Sequence, residues 1–588
     1  MQAVKREWQK IVYNALRELS QQKGVDPENL ELAQVISETP PKPELGDIAF
    51  PMFPFARVFR QSPAQIAASL ASALTGDERI GQAKVTQAGP YVNVHIDIVA
   101  LTEEVHNEIN ERGDGYGENR SMADNRTMIE FSCPNTNKPL HLGHLRNDSI
   151  GESVSRILKA NGSEVRKVNL INDRGIHICK SMCAYKEFGD HKTPESEGQK
   201  SDHFVGDYYV RFDQWSKEDP QAEAKARKML IDWEAGEPGV NELWKRMNRW
   251  AVEGIEETYR RTGVSFDAVY YESETYLAGK EEVLKGLDRG VFYREEDGSV
   301  WVDLSEIDLD KKVLLRSDGT SLYLTQDIGT AIRRHADWPF TRMIYVVASE
   351  QQYHFKVLFH VLKKLGFQWA RKLYHLSYGM VNLPEGKMKS REGTVVDADE
   401  LFLQLQDMAA EEIRSKDRED HVGDVEQASA AVARAALNYY LLQVSPMKDM
   451  VFDPRESISF NGNTGPYLQY MGARISSMLR KYEEQDRSEP RGRFKAELLV
   501  VPEERQLIKL LASYPEIVIR AGEQMNPTLI TGFLYELSRS FSKYYHDHPI
   551  LHNEDRDLVV SRLELAKMVL QVLKNAFFLV GIPFLERM

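Results

Sequence analysis

The amino-acid sequence predicts an α/β protein in three parts. These are a small N-terminal α/β domain, a split α/β domain carrying an insertion, and an all-α C-terminal domain. Three observations carry this prediction. At 588 residues the chain is too long for one hydrophobic core, so about three or four domains are expected. Between about residues 126 and 397, strand-like apolar runs alternate with stretches of helical period. Past about residue 400 the pattern is almost entirely helical, alanine-rich around Ala428 to Ala436 and amphipathic thereafter.

Composition narrows the class. Hydrophobic content of 42% and charged content of 28% are ordinary for a globular protein. No uncharged apolar run approaches the ~20 residues that cross a bilayer, so no membrane partner is expected. The start, Met1 to Trp8, has no apolar core of a signal peptide. Three cysteines, Cys133, Cys179 and Cys183, cannot build a disulfide framework, which points to a reducing, cytoplasmic compartment. Cys179 and Cys183 have no matching Cys or His pair nearby, so no metal-ligating residues are assigned. The net charge of −14 argues mildly against a nucleic-acid partner but decides little, because positive charge can be confined to one face.

Residues 1–115 read as the N-terminal domain. Val4, Trp8, Ile11, Val12, Ala15, Leu16 and Leu19 form a helical apolar stripe. Ser62-Pro63 begins a helix, with Ser at the cap and Pro in the first turn. Val85 to Ile96 holds two strand-like runs split by Gly89-Pro90, of which Tyr91 to Val94 reads as an edge strand. Gly113 to Gly117 reads as a flexible linker.

Residues 116–400 read as the split domain. Met128 to Phe131 is a buried strand, and Pro134 and Pro139 rule out helix just after it. A helix follows, with Asp148 or Ser149 able to cap its start and Gly162 able to end it. Val165 to Ile171 is the next strand. The whole is a strand–loop–helix–strand unit whose loop holds His141-Leu142-Gly143-His144. Such a loop suits a polyphosphate, because backbone N–H groups and the helix dipole both favour anions. Gly143 lets a ligand lie against bare backbone. Asn172-Asp173-Arg174-Gly175 ends the second strand, at the edge where open α/β sheets bind ligands.

From about 180 to 265 the pattern turns to polar helices anchored by Trp215, Trp233, Trp244 and Trp250, an insertion between two halves of a nucleotide-binding domain. The second half holds a strand at Val300 to Leu304 and a hairpin with Asp318-Gly319 at its turn. Tyr323 to Asp327 follows and leads into a helix to His335. Met343 to Ala348 is a strand buried on both faces, His354 to Leu365 a helix, and Leu373 to Val381 a strand. Gly386 to Thr394 is a basic loop. Residues 401–588 are helical apart from the turn cluster Asn461 to Pro466.

Two histidines on one loop and lysines on another fit one reaction. A carboxylate attacks the α-phosphate of ATP and diphosphate leaves. The protein positions the reactants and neutralises charge, and Mg²⁺ would assist. The phosphate motifs GxxxxGK(S/T) and GxGxxG are absent, which argues against P-loop and Rossmann-dinucleotide enzymes. Taken singly, His-x-x-His and a lysine-rich loop are also common surface features. Together, flanking two α/β halves, they are specific.

These residues resemble a class I aminoacyl-tRNA synthetase, and specifically the arginyl-tRNA synthetase family. His141-Leu142-Gly143-His144 matches the HIGH motif of the class, and Phe131 to Asn147 is close to the arginyl version. Asn172-Asp173-Arg174-Gly175 resembles the family's N-D-x-G element. Leu322 to Gly329, Gly462 to Tyr470 and the end from Gly581 also match, so the resemblance spans essentially the whole chain.

The resemblance implies ATP-dependent ligation of L-arginine to tRNA(Arg) through arginyl-adenylate, with tRNA needed for arginine activation. It implies a split Rossmann-like catalytic domain, an N-terminal domain on the tRNA outer corner and a helical anticodon-binding domain. It implies an arginine site of Glu130, Asn135, Tyr323, Asp327 and Gln351. Asp327 is the carboxylate expected to pair with a guanidinium, and a helix cap is its alternative reading. His141, Gly143, His144, Lys387, Met388 and Arg391 would bind ATP, with Lys389 and Lys138 beside them.

The loop reads Lys387-Met388-Lys389-Ser390-Arg391 and has no equivalent of the second lysine of KMSKS. Lys387, Lys389, Arg391 and Lys138 therefore share that role without a ranking. Asn93, Tyr467 and Tyr470 are candidate tRNA contacts, with core packing the alternative for the tyrosines. The role of Arg174 is left open. A monomer is expected. The rivals are a class I synthetase for another amino acid and a catalytically dead RNA-binding relative.

Overall fold

The computed structural model describes residues 1–384, 396–415, 422–484 and 492–588. It forms two compact units. One comprises Met1–Gly117, Ile475–Ile517 and Glu536–Asn575, the other Glu118–Arg474, Val518–Tyr535 and Ala576–Met588.

In the first unit, helix α1 (Gln2–Gln22) lays its apolar stripe on helix α2 (Pro63–Leu74) and on strands β1 (Ile48–Pro51), β2 (Lys84–Ala88) and β3 (Tyr91–His95). Trp8, Val12, Leu16, Phe50, Leu70 and Val94 form its core. Ser62 caps α2 and Gln65 reciprocates in a capping box. The sheet order is β1-β3-β2, so Tyr91 to His95 is the central strand and not an edge. The hairpin turn was legible locally. The β1–β3 pairing, Phe50 against Val92, joins residues about forty positions apart and has no local signal.

Gly113 to Gly117 also departs from expectation. It follows α3 (Ile98–Arg112) as an ordered turn. Tyr116 is buried and donates to the Leu511 carbonyl at 2.9 Å, and Asn575 donates to the carbonyls of Gly113 and Tyr116. The glycines make the turn, and the tyrosine among them anchors it.

The second unit is built on a five-stranded parallel sheet. Its strands are β4 (Arg126–Glu130), β5 (Glu164–Ile171), β6 (Ala268–Tyr271), β10 (Arg342–Ala348) and β11 (Leu373–Tyr378), in the order β11-β10-β4-β5-β6. β10 lies between two parallel neighbours, and its Met343 to Val346 are buried as their unbroken apolar run requires. Helix α4 (Leu142–Ala160) makes the crossover from β4 to β5. It starts six residues before the expected cap. His141 is the N-cap, and Asp148 is buried within the helix. Gly162 ends it with φ +88°.

Helices α5 (Ile176–Phe188), α6 (Ser201–Glu218), α7 (Ala222–Glu234) and α8 (Pro238–Thr262) form the insertion, with an aromatic core around Tyr185, Phe204, Phe212 and Trp250. Cys179 and Cys183 are buried there as free thiols.

Helix α9 (Glu272–Asp288) follows β6, and strands β7 (Tyr293–Arg294), β8 (Val300–Val302) and β9 (Lys312–Leu315) form a small antiparallel sheet. Helix α10 (Tyr323–Asp337) then crosses α9 at close range. A Cβ on Gly279 would meet the Thr325 carbonyl oxygen at 1.7 Å, and one on Gly329 would meet the Gly279 nitrogen at 2.5 Å. Only glycine lets these helices approach so far. Helix α11 (Gln352–Lys364) leads to β11.

The expected strand Leu373 to Val381 is divided. β11 ends at Tyr378, and Val381–Asn382 (β12) pairs instead with Met450–Val451 (β13). Arg146 of α4 causes the break. Its buried guanidinium donates to the carbonyls of Gly379 and Met380, both at 2.8 Å, and of Lys448, at 2.6 Å. Helices α12 (Ala398–Ser415), α13 (Val425–Leu442) and α14 (Gly465–Glu483) follow. Among the described residues no helix is long and apolar enough to cross a membrane.

Candidate active site

The site begins where β4 runs out. Ser132 and Cys133 have φ of +73° and +51°, a pair of consecutive left-handed residues of which neither is glycine. Each costs roughly 1–3 kcal/mol and persists only where its surroundings hold it. Here they do. The Ser132 N–H donates to Asn147 Oδ1 at 2.7 Å and the Cys133 N–H to Asn169 Oδ1 at 3.1 Å. Ser132 Oγ lies 2.7 Å from the buried Tyr259 hydroxyl. Asn135 and Asn172 then pair as a parallel bridge, through Asn172 N–H to the Pro134 carbonyl (3.0 Å) and Thr136 N–H to the Asn172 carbonyl (3.2 Å). The loops leaving β4 and β5 are thus laced together at the C-terminal edge of the sheet.

The histidine loop follows. The Gly143 N–H donates to His141 Nδ1, and the His141 N–H donates to His144 Nδ1, each at 3.1 Å. The two imidazoles form a reciprocal capping box, with ring centroids 4.0 Å apart. Both Nδ1 atoms accept, so the proton of each neutral ring is on Nε2. Burial, with the nearby Lys138 charge, lowers His141 to about 4, and burial puts His144 well below its ordinary value. Both are therefore neutral Nε2–H donors at pH 7. Gly143 is required here because a Cβ would stand 2.9 Å from the His141 ring. Lys138 is half-buried, and burial lowers its pKa.

The expected lysine loop, with Lys387, Met388, Lys389 and Arg391, lies outside the described residues. The chain that follows it is placed. Leu142 N–H donates to the Val396 carbonyl and Ala398 N–H to the Leu140 carbonyl, both at 3.0 Å, so it bridges onto the histidine loop. Asp399, just beyond, is buried. It accepts from Arg261 (2.6 Å), Lys200 (2.7 Å) and Thr258 (3.0 Å). Burial alone would raise its pKa, but hydrogen bonds from His203 and Lys200 hold it low. Asp202, His203 and Asp399 converge in the manner of a cation site. Lys200 Nζ, 2.9 Å from Asp202 and 2.7 Å from Asp399, supplies the positive charge.

Three carboxylates meet on the other side, each with a resident partner. Glu130, at the end of β4, is buried and paired with the buried Arg334. Burial raises its pKa, and the charge of Arg334 opposes that rise. Glu272, at the start of α9, is pushed up to about 7 by burial, with Arg174 pulling it down and Asp327 and Asp173 pushing it up. Asp327, one turn into α10, meets His354 Nε2 at 2.5 Å and is the most open of the three, its side chain 33% exposed. Tyr323 stands at the start of the same helix, one turn earlier and 71% exposed. The tyrosine and aspartate are therefore helical neighbours at i and i+4. Asn135 and Gln351 are exposed, while the adjacent Gln352 is tied to Ser377 at 3.2 Å.

Several predicted residues lie elsewhere or are occupied. Asn93 is 2% exposed inside the N-terminal sheet, so its side chain offers no surface to a nucleic acid. The Glu130 carboxylate is engaged by Arg334 and not held open for a substrate amine. Tyr467 and Tyr470 are half-buried on α14, Tyr467 with its ring 6.3 Å from that of Tyr535. The turn at Asn461 to Thr464 borders a cavity of about 580 Å³ whose wall includes Tyr440, Arg455 and Glu456. Sequence reasoning missed Glu272, His354 and Arg334. Each is defined by a partner that only folding supplies.

A five-stranded parallel sheet with a histidine-capped helix at its edge and an insertion at the crossover defines the catalytic domain of a class I aminoacyl-tRNA synthetase. The family described as tRNA synthetases class I (R), catalytic domain, matches residues 107–454. The DALR anticodon binding domain matches 468–588, and the arginyl tRNA synthetase N terminal domain matches 6–96. The arginine--tRNA ligase of Treponema denticola is 58% identical over 596 residues and spans 100% of both chains. That of Borrelia hermsii is 43% identical over 100% of this chain and 99% of its own. The solved arginyl-tRNA synthetase of Thermus thermophilus superposes with a TM-score of 0.76 at 25% identity, over 99% of this chain and 100% of that one. The chain belongs to the arginyl-tRNA synthetase family.

Proposed function

We propose that the chain joins L-arginine to tRNA(Arg) in two steps. The arginine carboxylate attacks the α-phosphorus of ATP, the bond to diphosphate breaks, and arginyl-adenylate forms. A terminal ribose hydroxyl of the tRNA then attacks the activated carbonyl, and AMP leaves. The observation that carries this reading is the capping box of His141 and His144. It leaves two neutral Nε2–H donors at a helix N-terminus, where the negative charge of a phosphate is stabilised.

In this reading His141, Gly143 and His144 receive the phosphates. Lys138, Lys387, Met388, Lys389 and Arg391 are assigned to ATP beside them, and Mg²⁺ enters with ATP as part of the substrate. Asp327 takes the substrate guanidinium because it is the accessible carboxylate, with Tyr323 above it and Glu272 behind it. Asn135 and Gln351, both exposed, face the amino-acid backbone. Glu130 acts through Arg334 as a charged floor to the site.

Residues 1–115 and 401–588 are assigned to tRNA, with Tyr467 and Tyr470 as the candidate stacking residues. The protein works in the cytoplasm as a monomer, and it activates arginine only with tRNA bound. Pyrophosphate exchange with each amino acid, with and without tRNA(Arg), tests this. No exchange with arginine plus tRNA sinks the reading. Exchange that is equal without tRNA removes only the dependence on tRNA. Another amino acid as substrate predicts that Asp327→Ala leaves its affinity unchanged.

A further inference from the structure

Arg174 is the residue of the Asn172–Gly175 turn for which the sequence offered no role. The residue before it, Asp173, is held from both sides. The Asp173 carboxylate accepts from the Ser273 N–H (2.9 Å) and hydroxyl (2.6 Å) at the start of α9. The Asp173 carbonyl accepts from Trp244 Nε1 (2.6 Å) and Asn248 Nδ2 (3.2 Å) of α8. The side chain, 9% exposed, crosses from the insertion to the substrate side. Nη2 is 2.8 Å from Glu234 at the end of α7, and the guanidinium lies 4.0 Å over the Tyr276 ring. With its carboxamide turned so that both neighbours are satisfied, Gln326 accepts from Arg174 Nη1 at 2.5 Å and donates to Glu272. Gln326 directly precedes Asp327 in α10.

We infer that Arg174 is a positioning and specificity residue for arginine, a resident guanidinium that keeps Glu272 ionised and oriented beside Asp327. This rests on the reading of Asp327 and Glu272 as the side-chain subsite. The physical need is plain. A buried carboxylate, Glu272, beside a second and more open one, Asp327, carries an excess negative charge, and the buried one is then the first to hold a proton. The charges acting on Glu272 are Arg174 and Asp173 from the turn after β5 and Asp327 from α10, while Glu274 of its own helix acts on Asp173. His354 of α11 faces Asp327, and Glu234 of α7 reaches in through Arg174. Arg174 is the cation first among these in its effect on Glu272, and burial holds that carboxyl near 7 even with it present. Without Arg174 the carboxyl rises further and is protonated at neutral pH, so it accepts a guanidinium poorly. The sign is therefore fixed. KM for arginine falls as pH rises through the Glu272 pKa, and loss of Arg174 moves that fall to higher pH.

The test is KM for arginine and kcat, from pH 6 to 8.5, in the tRNA-dependent reaction of the full chain. For Arg174→Gln a one-unit displacement from about 7 makes KM about fivefold higher at pH 7 and approaching tenfold at pH 6. The two curves should converge by pH 8.5, with kcat little changed. Arg174→Lys, which keeps the charge, should track the parent midpoint. Glu234→Gln should move the curve the other way, to lower pH, and its exposed position makes it the safer variant if Arg174→Gln does not fold. Superimposed curves for the parent and Arg174→Gln, a KM raised equally at every pH, or an unmoved Glu234→Gln curve each overturn the inference. Glu272→Gln separates the two levels. If it leaves KM unchanged at all pH values, the subsite reading itself fails. If it raises KM while Arg174→Gln changes nothing, the subsite stands and the role of Arg174 falls.

Discussion

The two halves of the active site are built on opposite principles. The histidine loop is local, with its donors, acceptors and helix cap lying within His141 to His144. Its histidines are neutral because they are buried. The carboxylate side is distributed. Glu130, Glu272 and Asp327 come from β4, α9 and α10, and each is balanced by a partner from another element: Arg334 of α10, Arg174 of the turn after β5 and His354 of α11. In the function proposed above, one half meets a polyanion with uncharged donors on a helix N-terminus. The other meets a cation with charge that is almost, but not wholly, cancelled. In that reading the histidine loop is set by the geometry of one helical turn, while the carboxylate side depends on a tuned surplus of negative charge.

The largest expected effect is on the local half. His144→Ala removes a phosphate donor and half of the capping box, and should lower kcat in pyrophosphate exchange by about 10²–10³-fold, as losses of single transition-state donors do. KM for arginine should hardly move, and a variant that instead raised KM alone would break the division between the halves. Next is Asp327→Asn. Losing a charged hydrogen-bonding partner costs about 1.5–3 kcal/mol, so KM for arginine should rise roughly 10- to 150-fold with a much smaller change in kcat.

A smaller effect is expected from Gly329→Ala, whose Cβ would meet the Thr275 carbonyl oxygen and the Gly279 nitrogen, both at 2.5 Å. It should push α9 from α10 and raise KM for arginine by about tenfold, a size in keeping with a misplacement outside the reacting centre. It should also lower the thermal midpoint, and an unchanged KM would show that the helix crossing does not set the subsite. The smallest effect is on pH. With His141 at about 4, its ring stays neutral from pH 6 to 8, so kcat at saturating arginine should show no histidine limb there. KM, governed by Glu272, should show one near 7. A kcat that halves near pH 6.5 would mean that the capping box is open in solution.

Stability follows the same group. A histidine of lowered pKa binds fewer protons folded than unfolded. Its contribution is present above the unfolded value of 6.5 and is lost as pH falls from there to about 4.

The fold was legible where the signal was periodic or local. The β4–α4–β5 unit, the apolar β10, the insertion and the helical end could all be read from patterns. Misreadings fell where a distant partner overrode a local cue. Tyr91 to His95 became central because Ile48–Pro51 pairs with it. Gly113 to Gly117 became ordered because Tyr116 found Leu511 and Asn575. α4 starts at Leu142 because histidine can cap through Nδ1, although Asp and Ser are the commoner caps.

By itself the sequence marked the histidine loop, whose residues lie within four consecutive positions, although it set the helix cap at Asp148 or Ser149 and not at His141. The tertiary structure decided the cation half. Whether Glu130 is free or bound, whether Glu272 is ionised, and which carboxylate stands open to a substrate depend on burial and on charges up to about two hundred positions away. Electrostatic energy grows steeply as water is excluded and falls with distance in space. Separation along the chain does not enter it.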